Sequence, residues 1–358
     1  MNVRFPGLTG CFSCLGILLH LDGGSNNDRA DDTFPLARHA SQYWVEHAQF
    51  GIVSSRIGDG MRRLFDSTKL YFSAWLQLHD IDDQRTYSGT YQAKNVGSPL
   101  YYASLCGFRD LAAHIVVEHP EQVNAKGGPN HSPLVAALRK SHFDVAELLY
   151  QHGATVDVTG FMNRTPLQAA STEGLVDVAR WLLDRGADVD SQDDNHWAPI
   201  AFATLYGHRE VVRTLLGHGV RINAANDEGF TPLYLASYSG YVEVVRLLLQ
   251  HGADVDAQAK DDSTPLHAAS REGNPDLSRL LLEHGVDVGA EDMEGRTPLH
   301  VASDWGRGET VRLLLDYRAS ADVRDKEGST PLQVALRGEK LDIIQMLTEH
   351  VAQVDKEP

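Results

Sequence analysis

Eight prolines recur at positions 99, 133, 166, 199, 232, 265, 298 and 331, thirty-four residues apart once and thirty-three thereafter. A fixed period of this length means stacked copies of one supersecondary unit, none of which can bury its apolar face alone. It overrides the prior from length, which for 358 residues would suggest two domains. Around the prolines stand Thr165-Pro166-Leu167, Thr231-Pro232-Leu233, Thr264-Pro265-Leu266-His267, Thr297-Pro298-Leu299-His300 and Thr330-Pro331-Leu332. Weaker copies occur at Ser98-Pro99-Leu100, Ser132-Pro133-Leu134 and Ala198-Pro199-Ile200.

Each copy spells a pair of short helices. A Thr or Ser hydroxyl caps the first helix, and Pro at its first position gives up no intrahelical hydrogen bond. Small residues such as Ala169-Ala170 and Ala268-Ala269 allow close approach of neighbours. A Gly eight residues past the Pro (107, 174, 207, 240, 273, 306) ends that helix in the left-handed region. The second helix carries aliphatic pairs, Leu182-Leu183, Leu215-Leu216, Leu248-Leu249 and Leu281-Leu282, and a second Gly (153, 186, 219, 252, 285) closes it. Ser141, Arg318 and Asp262 stand where the period calls for glycine. In the last copy Thr348, Gln345 and Glu349 make the second helix polar, as suits a solvent-facing end.

The pattern Thr-Pro-Leu-His-x-Ala-Ala, the glycine, Leu-Leu and Gly-Ala-Asp-Val resembles the ankyrin repeat over residues 94–350. The resemblance implies an all-α solenoid of about eight helix-turn-helix repeats joined by β-hairpin loops. It also implies non-catalytic protein recognition. In the family, residues five, four and two before the Pro, and six and seven after it, face a concave groove. Here those places hold Phe161, Met162, Trp197, Leu205, Tyr206, Phe230, Tyr238, Met293 and Trp305, with Asp194, Asp227 and Glu228 at the fingertips. Large exposed aromatics are common interface anchors. The expected partner is therefore a protein or peptide, basic or neutral, bound to a monomeric array.

Residues 1–93 break the period. The spans Phe34–Phe50, Ile52–Phe65 and Lys69–His79 show helical spacing, which predicts a helical capping module over 34–93. Residues 1–33 read as a partly helical remnant or linker, and 351–358 as a tail. Cys14–Asp22, Phe34–Ala48 and Ser54–Asp66 are similar to the stretch between the NACHT nucleotide-binding domain and the ankyrin array in fungal STAND-type receptors. Tyr101-Tyr102-Ala103-Ser104-Leu105-Cys106-Gly107 extends that similarity into the first repeat. No Gly-x-x-x-x-Gly-Lys-Ser/Thr loop occurs in the sequence, so no phosphate cradle and no cofactor is expected.

Composition narrows the function classes. With 32 Lys and Arg against 49 Asp and Glu, the chain has a formal charge of −17, which disfavours a phosphate-tracking nucleic-acid binder. Residues 1–96 hold nine basic and ten acidic side chains, so nearly all of the excess acid belongs to the repeats. Part of it follows the period as Asp177/Arg180, Glu210/Arg213, Glu243/Arg246, Asp276/Arg279 and Glu309/Arg312, modest pairs along the second helices. The rest gathers in the loops, at Asp193-Asp194, Asp227-Glu228, Asp261-Asp262, Glu291-Asp292, Asp325 and Glu327. The apolar run Leu8–Leu21 is too short to span a membrane. Three cysteines make no disulfide framework and fit a cytoplasmic protein, with the nucleus as alternative.

The catalytic signals are weak. His152, His218, His251 and His284 each precede a helix-ending Gly, where they are expected to bond terminal carbonyls. His267 and His300 are expected to reach neighbouring loops. Cys11-x-x-Cys14 lacks a second ligand pair for zinc, so no metal is expected. The chain reads as a non-enzyme. The alternative is an enzyme or enzyme regulator whose activity resides in the N-terminal module.

Overall fold

The computed structural model describes residues 58–65, 97–127 and 132–354. The expectations for Phe34–Phe50, Lys69–His79, residues 52–57 of Ile52–Phe65, the linker residues 1–33, the Cys11/Cys14 pair and residues 355–358 lie outside the described residues. The chain divides into two compact units, Met1–Phe161 and Met162–Pro358. Among the described residues there are seventeen α-helices and two 3-10 turns.

In the first unit, α1 (Gly58–Leu64) packs on α3 (Arg109–Glu118). Met61, Leu64 and Phe65 are buried there, and the Phe65 ring meets Phe108 edge-on at 6.1 Å. Among the described residues of this unit two repeats follow: α2 (Pro99–Leu105) with α3, and α4 (Pro133–Arg139) with α5 (Phe143–Gln151). Asn124 ties them, its side chain donating to the Gly153 carbonyl and accepting from the Thr155 N–H.

The second unit holds six repeats. Their inner and outer helices are α6 (Pro166–Glu173) and α7 (Val176–Leu183), α8 (Pro199–Leu205) and α9 (Arg209–Gly217), α10 (Pro232–Tyr238) and α11 (Val242–Gln250). Then come α12 (Pro265–Glu272) and α13 (Pro275–Glu283), α14 (Pro298–Asp304) and α15 (Gly308–Asp316), α16 (Pro331–Arg337) and α17 (Leu341–Val354). Inner helices pack on inner and outer on outer, giving two layers. Ala203, Ala236, Ala269, Ala302 and Ala335 recur at one buried position, where the absent side chain lets neighbouring inner helices approach. Leu167, Ile200, Leu233, Leu266 and Leu299, one residue past each Pro, are fully buried, each worth roughly 1.5–3 kcal/mol of transfer free energy.

Caps start the inner helices as the sequence predicts. Ser98, Ser132, Thr165, Thr231 and Thr330 each accept a backbone N–H three residues on. Ala198 has no side chain to do so. The ends are set by left-handed residues. Gly174 has φ 72°, and a Cβ there would sit 2.6 Å from the His208 ring. Where the period lacks glycine the backbone keeps the conformation: Ser141, Asp262 and Arg318 have φ of 59°, 58° and 64°. Asn163, His196 and Glu339 do the same at φ 57°, 58° and 53°, at three places the sequence reading passed over. Each non-glycine residue of this kind costs roughly 1 kcal/mol.

The loops differ from expectation. They were expected as β-hairpins, yet no strand forms among the described residues. Each fingertip makes a single backbone bond to the one before: Asp194 to Met162, Asp227 to Asn195, Lys260 to Glu228, Met293 to Asp261 and Lys326 to Glu294, at 2.8–3.2 Å. One bond per junction makes no ladder. The last repeat is also less polar than expected. Thr348 and Glu349 are exposed, but so are Leu336 at 52% and Leu341 at 77%.

Candidate functional site

The histidines resolve into structure. Nδ1 of His152, His218, His251 and His284 donates to the carbonyl four residues back, at 2.8 Å in each case. His267 and His300 are buried inside capping boxes. The Thr264 N–H donates to His267 Nδ1 at 3.1 Å, so the ring proton sits on Nε2 and goes to the Arg296 carbonyl at 2.9 Å. His300 repeats this between the Thr297 N–H and the Ser329 carbonyl, both at 3.1 Å. Burial lowers the pKa of both rings, against the opposing pull of those carbonyls and of Asp292 and Asp325. Neutral imidazoles committed at both nitrogens have nothing left for proton transfer. Among the described residues no group of three or more His, Cys, Asp or Glu is placed to hold a metal ion. No described helix is long and apolar enough to cross a membrane. Cys106 is buried.

Acids at the loops fall into two kinds. Asp193 and Asp292 are buried, as is Asn226 in the same register. Asp193 Oδ1 accepts from the Asn195 and Trp197 N–H groups, Asn226 Oδ1 from Glu228 and Phe230, and Asp292 Oδ1 from Glu294 and Arg296. These side chains fold the fingertip from within. Arg164 also pairs with Asp193 at 3.3 Å, and Arg296 with Asp292 at 2.9 Å. Asp194, Asp227 and Glu228 are exposed, and Asp227 faces His196 Nδ1 at 2.8 Å. Loop acid as a whole is therefore not one binding edge. On the outer helices, Asp177–Arg180, Glu210–Arg213 and Glu243–Arg246 pair at 3.2–3.6 Å, while Asp276/Arg279 and Glu309/Arg312 do not.

The aromatic candidates also separate. Trp197 is half-buried and lies against Phe202, ring centroids 5.3 Å apart, with the Arg164 guanidinium on the same Phe202 ring at 4.5 Å. The Trp197 carbonyl accepts from Gln168 Nε2 at 2.8 Å. Phe230, likewise half-buried, stacks on Tyr234 at 4.6 Å and 7°. Met162 is half-buried with φ 57°. Phe161 opens the turn Phe161–Asn163, and its side chain lies outside the described residues. Tyr206, Tyr238 and Trp305 remain 44–49% exposed, and Met293 51%. Tyr206 stacks on His208, whose Nε2 is 3.0 Å from the Thr172 carbonyl. Tyr238 and Trp305 share a neighbour, Arg271, 5.5 Å from one ring and 4.6 Å from the other. The period carried the clue, because Tyr238 and Arg271 both stand six residues past their Pro.

Fold and face together define an α-helical repeat protein that presents aromatic side chains from the ends of its inner helices. The family described as Ankyrin repeats (3 copies) matches residues 98–193, 185–259 and 256–325, more than half of the chain. The chain belongs to the ankyrin-repeat family. A curated relative, Azaphilone pigments biosynthesis cluster protein L of Monascus ruber, is 33% identical over 131 residues, 32% of this chain and 27% of the relative. The chain thus spans about a quarter of that relative's length.

Proposed function

We propose that the inner face of residues 162–354 is a protein-recognition surface. Tyr206, Tyr238 and Trp305 are its anchors, and Trp197, Phe230 and Met162 form the half-buried floor beside them. Asp194, Asp227 and Glu228 form an acidic rim that favours a basic or neutral polypeptide. The observation that carries this reading is the half-exposure of Tyr206, Tyr238 and Trp305 at positions where the stacked repeats do not need them. Rigid aromatic side chains bury large area at low entropic cost. The activity is non-catalytic and the binding chain a monomer inside the cell, a compartment that the scarcity of cysteine supports.

The receptor-like stretches Cys14–Asp22, Phe34–Ala48 and Ser54–Asp66 support a regulatory arm of a STAND-type switch as the setting. On that reading the transcript carries an in-frame nucleotide-binding domain upstream, which mapping its 5′ end would reveal. The relative's name speaks of a biosynthesis cluster and brings no reaction to this chain. Selection of a random displayed-peptide library on the full chain tests the surface itself. Peptides that bind the wild type are expected to bind at least tenfold more weakly to Trp197→Ala and Tyr206→Ala, a loss of about 1.4 kcal/mol or more. Unchanged affinity in both variants overturns the reading.

A further inference from the structure

Several arginines elsewhere on the second unit are held by acid. Arg164 pairs with Asp193, Arg213 with Glu210, Arg221 with Asp190, Arg296 with Asp292 and Arg337 with Glu327. Arg271 is held by rings. Tyr238 comes from the repeat before it and Trp305 from the repeat after, so the guanidinium lies between two aromatic side chains. Its own helix end is fixed too, since Arg307 Nε donates to the Arg271 carbonyl at 2.9 Å. The Arg307 side chain also fills the space that a Cβ on Gly273 would need.

The consequence lies in what the guanidinium has left to give. Both rings lie within cation–π reach of the guanidinium, whose N–H groups form the planar fork that matches a carboxylate with two parallel hydrogen bonds. Among the described residues no ion pair or hydrogen bond uses those N–H groups. Exposed acids are available, Asp261 and Glu272 on the same repeat and Asp304 next to Trp305 on the following one. The side chain nevertheless settles between Tyr238 and Trp305, pre-ordered, charged and unspent. A planar fork held in this way loses little entropy when an acceptor arrives.

We infer that Arg271 is a specificity-determining position that takes the carboxylate of an Asp or Glu side chain in the partner polypeptide. This rests on the recognition surface proposed above and adds a single acidic residue to an otherwise basic or neutral partner segment. The exposed acids around Arg271 repel carboxylates everywhere else, so the preference is confined to one place in the sequence of the partner.

The same displayed-peptide selection decides the matter when run in parallel on the full-length wild type, Arg271→Glu, Arg271→Lys and Tyr206→Ala, each first checked for an unaltered helical circular dichroism spectrum. Wild type should enrich one Asp or Glu at a fixed place in the aligned peptides. Arg271→Glu should replace that acid by Lys or Arg. Arg271→Lys should keep the acid but bind about tenfold more weakly, because an ammonium lacks the fork. Peptides with no fixed acid, or an acid preference that survives Arg271→Glu, overturn the inference. If such peptides still lose affinity in Tyr206→Ala, the recognition surface stands without it. If wild type selects no peptide at all, both fall.

Discussion

The fourth and fifth repeats differ from the sixth and seventh in what holds the fingertip. In the sixth and seventh, His267 and His300 bridge a Thr N–H to the carbonyl of the next loop. In the fourth, Ala201 stands at that position and the helix starts at an uncapped Ala198; in the fifth it is Tyr234. Ring contacts are added there, Trp197 on Phe202 and Phe230 on Tyr234, while the Tyr234 hydroxyl still reaches the next loop by accepting from Ser263 Oγ at 3.2 Å. A fingertip fixed by apolar packing exposes aromatic edges to a partner. One fixed by a neutral imidazole is directional and more sensitive to protons. The array thus grades from a sticky middle to a hydrogen-bonded end.

Several substitutions should break or sharpen that contrast. The largest effect is expected from Phe202→Ala, which empties the buried ring beneath Trp197 and Arg164 and should cost about 3–5 kcal/mol in urea denaturation. His267→Ala should cost about 2–3 kcal/mol by stranding the Thr264 N–H and the Arg296 carbonyl, with His267→Gln recovering much of it, as Gln168 shows in the third repeat. Acid should separate the two pairs of repeats as well. His267 and His300 have lowered folded pKa values, so the unfolded chain takes up protons first, near pH 6.5. Stability should be unaffected by these rings above that pH. It should fall below it by up to about 1.4 kcal/mol per pH unit and histidine, until the folded pKa is reached. The double change His267→Gln with His300→Gln should flatten the slope, as read from melting temperature against pH.

Smaller changes probe the caps and the outer helices. Ala198→Thr should add about 1 kcal/mol by supplying the cap that the other repeats have. Arg213→Ala should lose about 0.3 kcal/mol with Glu210, whereas Arg279→Ala in the sixth repeat, where no pair forms, should leave the melting curve in place. Equal responses at those two sites would remove the outer helices from the comparison.

Most of the repeat architecture was legible because period, cap and stop are local. Thr-Pro-Leu-His names a helix start, and the glycine register names its end even where Ser141 and Arg318 stand in for it, as Asp262 does at the loop position before Pro265. The missed left-handed residues Asn163, His196 and Glu339 occupy the same registers, and only the spacing, not the residue type, betrays them. The acids were harder. Asp193 and Asp194 are adjacent and chemically alike, yet one is buried under two backbone N–H groups and the other faces water. That distinction is made by loop geometry, which the pattern of charges does not encode. Arg271 was hidden for a related reason, since its neighbours Tyr238 and Trp305 lie one repeat away on either side.

Fingertips joined by one backbone bond apiece imply a mechanical habit. Along the second unit, each junction rests on side-chain packing between layers and on side-chain bridges such as those of His267 and His300, with a single backbone bond at the tip. Pulled from its C-terminal end, where Leu336 and Leu341 are uncovered, the chain should peel one repeat at a time rather than rupture at once. Each step would release about 11 nm of chain in a force trace. Such a spool yields length gradually under load and rewinds from whatever remains folded.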